Sequence, residues 1–116
     1  MKTDPRGLSP REFFWEIWNE RPHVSEVSGM RLGPEPLAHY FSHVLPKSTY
    51  PKGKFDKDNI LLMTFTEHTL WEHNKSKIEG DPMWAPVFEI AERLSEKYNE
   101  TEKKNLEYME KYYLNN

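Results

Sequence analysis

The sequence predicts an α+β domain, and three observations carry that expectation. A segment opening on Ser9-Pro10-Arg11-Glu12 continues with aromatic residues at helical spacing. Two short apolar segments, residues 37–44 and 59–64, are bounded by turn residues and read as strands. From residue 64 onward the apolar period is that of helices. A chain of 116 residues, 36% of them hydrophobic, suits one such domain and not two.

Each element has its own signal. Residues 1–8 are polar, carry Lys2, Asp4 and Arg6, and read as a flexible leader without the apolar stretch of a secretory signal. Ser9 then offers an N-cap, Pro10 a first helical residue and Glu12 the other half of a capping box, opening a helix over residues 9–20. Phe13, Phe14, Ile17 and Trp18 form its buried face, and Pro22 lies beyond its end. Residues 22–36 hold Ser28-Gly29 and Gly33-Pro34 and read as a loop or short hairpin. The first strand, 37–44, is stopped by Leu45-Pro46. An irregular excursion over 47–58 holds Pro51 and Gly53, and the strand over 59–64 can pair antiparallel with the first. Residues 64–77 place Phe65, His68, Leu70, Trp71 and Asn74 at helical spacing, and Gly80-Asp81-Pro82 ends that helix. Pro86 puts the next start near Ala85, followed by a stripe of Val87, Phe88, Ile90, Ala91 and Leu94. A further charged helix over 100–114 carries Leu106, Met109 and Tyr113 and packs weakly on the body or on a partner. The organisation is thus a single domain, 1–116: a helix at 9–20, a core over 22–77 and a helical extension over 81–114.

Composition narrows the functional classes. The longest purely apolar run, residues 60–63, is far short of the ~20 residues of a membrane helix, so a cytoplasmic protein is expected. Without cysteine there is no disulfide, thiolate zinc site or iron–sulfur cluster, which leaves His, Asp, Glu and Asn as metal ligands. A net charge of -3 argues against coating nucleic acid by bulk electrostatics; a nucleic-acid site would be a local basic patch.

Such a patch and a cluster of imidazoles occur together. Four of the 5 histidines, His39, His43, His68 and His73, fall within residues 37–77. His43 ends the first strand, Asn59 begins the second, and His68 stands in the following helix. Ser42-His43-Val44-Leu45-Pro46-Lys47 and the run from Asn59-Ile60-Leu61-Leu62 to Glu67-His68 are the strongest local matches to a known pattern. On these residues the chain resembles the HNH endonucleases of the ββα-metal superfamily, over residues 22–74, under half its length. The resemblance implies a two-stranded hairpin and a helix clasping one divalent ion (Mg, Mn, Ni or Zn), and metal-dependent hydrolysis of phosphodiester bonds in DNA. It also implies a phage or mobile-element origin, with the host cytoplasm as the place of action.

The resemblance further assigns roles. His43 is the general base, since neutral imidazole titrates near working pH. Asn59 fixes the hairpin, and its side-chain carbonyl is expected to orient the His43 ring. His68 is a metal ligand; the second ligand is Glu72, four residues on and on the same helix face, or His73 beside it. Ser42 stands where many members carry an Asp or His ligand, so a catalytically degenerate module that binds nucleic acid or a protein without cutting is the alternative. Many members also hold a structural zinc on two Cys-x-x-Cys pairs. Ser25-Glu26-Val27-Ser28 has the spacing of the first pair, and Thr64-Phe65-Thr66-Glu67-His68 that of the second with its histidine, so the structural zinc is expected to be lost. Lys47, Lys52, Lys54 and Lys57, in the excursion between His43 and Asn59, form the basic patch expected to meet phosphates. His39 shares a strand face with His43 and is expected to have a packing or surface role. Tyr108, Tyr112 and Tyr113 offer the C-terminal helices as an interface for a homodimer or a protein partner.

Overall fold

The computed structural model describes residues 3–109 and 111. Its elements run α1 (Pro10–Glu20), β1 (Phe41–His43), β2 (Ile60–Leu62), α2 (Phe65–His73) and α3 (Ala85–Met109), with short 3-10 turns between them. This is the α+β class expected: helices around one two-stranded antiparallel sheet.

The capping box forms as spelled. The Ser9 hydroxyl accepts from the Glu12 amide at 3.2 Å, and the Glu12 carboxylate accepts from the Ser9 amide, also at 3.2 Å. The residues ahead of it depart from the expected flexible leader. One oxygen of Asp4 accepts from the amides of Arg6 and Leu8, and the other meets the Arg6 guanidinium, which reaches on to Glu16 of α1. Charge pairing ties this short polar segment down where no apolar residue could.

Both strands are shorter than their sequence signals. Residues 38–40 wind into a 3-10 turn, as do 57–59, so pairing covers Phe41↔Leu62, Ser42↔Leu61 and His43↔Ile60. A ribbon this small is not stable alone, and helices cover both faces. Phe41, Ile60 and Leu62 pack with Phe13, Ile17 and Trp18 of α1. Val44, Leu61 and Met63 point the other way, onto Trp71 of α2 and Trp84 and Val87 at the start of α3. A one-residue slip would exchange these two faces, which fixes the register that positions His43.

A second capping box, Thr64 with Glu67, starts α2. The helix ends at His73, and Lys75–Lys77 is a separate 3-10 turn. The two C-terminal helices expected are one continuous helix of 25 residues, since neither glycine nor proline interrupts the sequence after Pro86. Leu94 and Tyr98 pack against Leu45, and every described side chain beyond Tyr98 is exposed. Tyr108 is among these; Tyr112, Tyr113 and Leu114 lie outside the described residues. Among the described residues no helix is long and apolar enough to cross a membrane.

A candidate active site between the hairpin and α2

Position comes first. Helix α2 is fastened to the chain on either side of β1 by two side chains three residues apart. The Trp71 indole N–H donates to the Val44 carbonyl at 2.9 Å, and His68 Nδ1 lies 2.7 Å from the His39 carbonyl. A carbonyl only accepts, so His68 Nδ1 carries a hydrogen and Nε2 is left to face outward. That Nε2 stands 2.9 Å from Glu72 Oε1. His73 approaches the other oxygen of Glu72 at 3.6 Å and is 70% exposed at its side chain, against 17% for His68.

The contact between an acceptor nitrogen and a carboxylate is attractive only with a proton or a cation between them. Two donors each about 2.1 Å from one ion and at right angles to it stand about 3 Å apart, the spacing found here. His68 and Glu72 therefore fit a divalent ion as adjacent ligands. Among the described residues no three His, Asp or Glu side chains gather into a group that could hold a metal ion, so any ion here would rest on these two side chains. Ser42 adds no donor to it: at 0% exposure it lies on the sheet face under α2, its hydroxyl without a partner.

His43 ends β1, partly buried, with its ring edge toward Phe14 of α1. Its Nε2 lies 3.2 Å from the Lys54 carbonyl and so donates to it, which leaves Nδ1 as the lone-pair nitrogen. Burial pushes the His43 imidazole below its ordinary value. The Lys54 carbonyl opposes that shift, Lys47 adds to it, and Glu72 and His68 act on the ring with opposite signs. His43 and the two ligand candidates are thus electrostatic neighbours.

Asn59 acts differently from what the resemblance implies. It does not orient His43 directly, because its amide is spent on the backbone of the excursion. Oδ1 accepts from the Leu45 amide at 2.8 Å, and Nδ2 donates to the carbonyls of Leu45 and Gly53 at 3.0 and 3.1 Å. Gly53 is required at this point, since a Cβ there would stand 2.6 Å from Asn59 Nδ2. Fully buried, Asn59 closes the loop whose next residue, Lys54, supplies the carbonyl that holds the ring.

The basic patch divides. Lys57 turns to α1, where its ammonium meets Glu16 at 2.6 Å and Glu20 at 2.7 Å. Lys47 is exposed and close enough to His43 to act on its titration. Lys52 and Lys54 are on the same excursion, with the Lys54 ammonium 5.3 Å from the centre of the Phe55 ring. His39 takes part through its carbonyl, while its ring packs against Tyr40 and Phe65. Neither backbone carbonyl has a signature in sequence, because a main-chain acceptor is common to every residue.

The four positions with zinc-knuckle spacing meet around one carboxylate. Ser25 Oγ donates to Glu67 Oε1 at 2.6 Å, and the Thr64 amide donates to the same oxygen at 2.8 Å. The Thr64 hydroxyl accepts from the Glu67 amide, and Ser28 also hydrogen-bonds to the carboxylate. Burial alone would raise the Glu67 carboxyl, but the bonds from Ser25, Ser28 and Thr64 outweigh it and hold the group below its ordinary value. Compared with known proteins, the chain matches no family model, no curated protein and no solved structure.

Proposed function

We propose that this chain is a metal-dependent endonuclease of the HNH type that hydrolyses phosphodiester bonds in DNA. The observation that carries the reading is the complementary setting of two imidazoles. A carbonyl at His43 Nε2 frees Nδ1 to take a proton, and a carbonyl at His68 Nδ1 aims Nε2 at Glu72.

His68 and Glu72 would hold the ion, with His73 within reach of the same carboxylate. A divalent ion bound there supplies Lewis-acid stabilisation of charge on the phosphate and the leaving oxygen. The chain's own residues do the rest. His43 Nδ1 accepts a proton from water as the water oxygen bonds to phosphorus and the ester P–O bond breaks. The Lys54 carbonyl holds the ring through that transfer, and Lys47 draws the phosphate in. The preference for DNA and the cytoplasm, of the host where the gene is phage-borne, rests on the resemblance.

A second reading has its own observation. With Ser42 buried, only His68 and Glu72 stand within 3 Å of each other as ligand candidates among the described residues, which favours a degenerate module that binds nucleic acid or a protein without cutting. Plasmid DNA incubated with the protein in Mg²⁺, Mn²⁺, Ni²⁺ or Zn²⁺, with chelator, and beside His43→Ala separates the two. Metal-dependent nicking lost in His43→Ala supports the enzyme; metal-independent binding without cutting supports the module. Activity unchanged by His43→Ala overturns the assignment of the base.

A further inference from the structure

We infer that Tyr98, on α3 and 55 residues along the chain from His43, is a positioning residue that sets the tautomer and orientation of the His43 ring through the excursion between the strands. The inference rests on the proposed role of His43 for its effect on cutting, but its structural content stands on contacts alone.

The path has few steps. His43 Nε2 donates to the carbonyl of Lys54. Lys54 lies between two residues that α3 holds. On one side is Gly53, where the Tyr98 ring is so close that a Cβ would stand 3.3 Å from Tyr98 Cε2. On the other is Asp56, whose Oδ2 accepts from the Tyr98 hydroxyl at 2.6 Å, with Lys97 of the same helix 3.7 Å from that oxygen. Asp56 also stabilises the turn leading to β2: its Oδ1 accepts from the Asp58 amide, and its carbonyl from the Asn59 amide. Tyr98 is itself well fixed, buried with Leu45 and Leu94 and beside Tyr50. A short bond between a phenol and a carboxylate at a partly buried site is worth more than a surface contact. The phenol is accordingly held well above its ordinary value, by burial first and then by Asp56, so it remains a donor at any working pH.

Asn59 closes the base of the loop from within the hairpin; Tyr98 grips its far side from α3. Removing the hydroxyl while keeping the ring leaves the packing against Gly53 in place and takes from Asp56 Oδ2 its hydrogen bond to α3. The Lys54 carbonyl can then drift from Nε2, and the ring loses the bond that favours its Nε2–H form.

The test is Tyr98→Phe in the full chain, read by ¹⁵N NMR of the histidine rings and by cutting kinetics, with Asp56→Ala as the partner variant. In the native protein His43 should show the Nε2–H tautomer in strong excess. In Tyr98→Phe the Nε2–H excess at His43 should fall toward that of a free histidine side chain while the tautomer of His68 stays unchanged. The cutting rate constant should fall on the order of tenfold with KM little altered. Asp56→Ala should shift His43 in the same direction, and the double variant should add little to either. A native tautomer ratio at His43 in a folded Tyr98→Phe protein overturns the inference. Should the native protein not cut at all, the enzymatic reading fails while the NMR comparison still decides the positioning role.

Discussion

As the proposed general base, His43 would have to meet two requirements. A general base must be neutral to accept a proton, and it must be held so that the accepting nitrogen faces the water. Burial meets the first by disfavouring the charged ring, and the Lys54 carbonyl meets the second by occupying Nε2. The direction of the shift fixes a pH dependence. Since the folded value lies below the ordinary 6.5, the base stays competent as pH falls past 6.5, and the acid limb of kcat/KM should lie below that value. A pH–rate profile whose acid limb stands above 6.5 would contradict the environment described here. The same residue shows how far sequence reaches: that an imidazole ends the first strand is legible, but which of its nitrogens is occupied depends on a carbonyl 11 residues away.

At the scale of elements, the hairpin and α2 are joined by devices of different kinds. Trp71 and His68 bond to carbonyls flanking β1, and the Glu67 carboxylate gathers Ser25, Ser28 and Thr64. That cluster ties the loop after α1 to the start of α2, which is the work a structural metal would do between the same four positions. A chain carrying Ser25→Cys, Ser28→Cys, Thr64→Cys and Glu67→Cys together should bind one zinc ion per molecule and unfold at higher denaturant with zinc than with chelator. Zinc uptake no greater than that of the native chain would show that the four sites do not converge as ligands. The native cluster has a pH signature too. A carboxyl held below its ordinary value contributes stability at neutral pH, and this is lost as the solution is acidified through the folded value.

Across the whole molecule, charge pairing divides the lysines of the excursion between two environments. Glu16 and Glu20 of α1 take Lys57 out of the basic patch, while Arg6 reaches Glu16 from the N-terminal turn. Lys47 is exposed and acts on the titration of His43. Lys47→Ala should therefore weaken DNA binding and lower the slope of log affinity against log salt by about 1. Lys57→Ala should leave that slope unchanged and cost under about 1 kcal/mol of stability, as for pairs largely in contact with solvent. Equal salt slopes for the two variants would mean that phosphates do not approach from the His43 side.

Elements with local causes are legible in the order of the residues. The capping box at Ser9, the buried face of Phe13, Ile17 and Trp18, and the shared helix face of His68 and Glu72 all follow from neighbours a few residues apart. Long-range folding sets where Asn59 spends its amide, which lysine faces α1, that Asp4 and Arg6 anchor the N-terminal turn, and that Tyr98 reaches the excursion. Each of these depends on a hydrogen-bond or ion-pair partner set by folding. A polar side chain announces its capacity in sequence, but the geometry of the fold chooses which acceptor satisfies it.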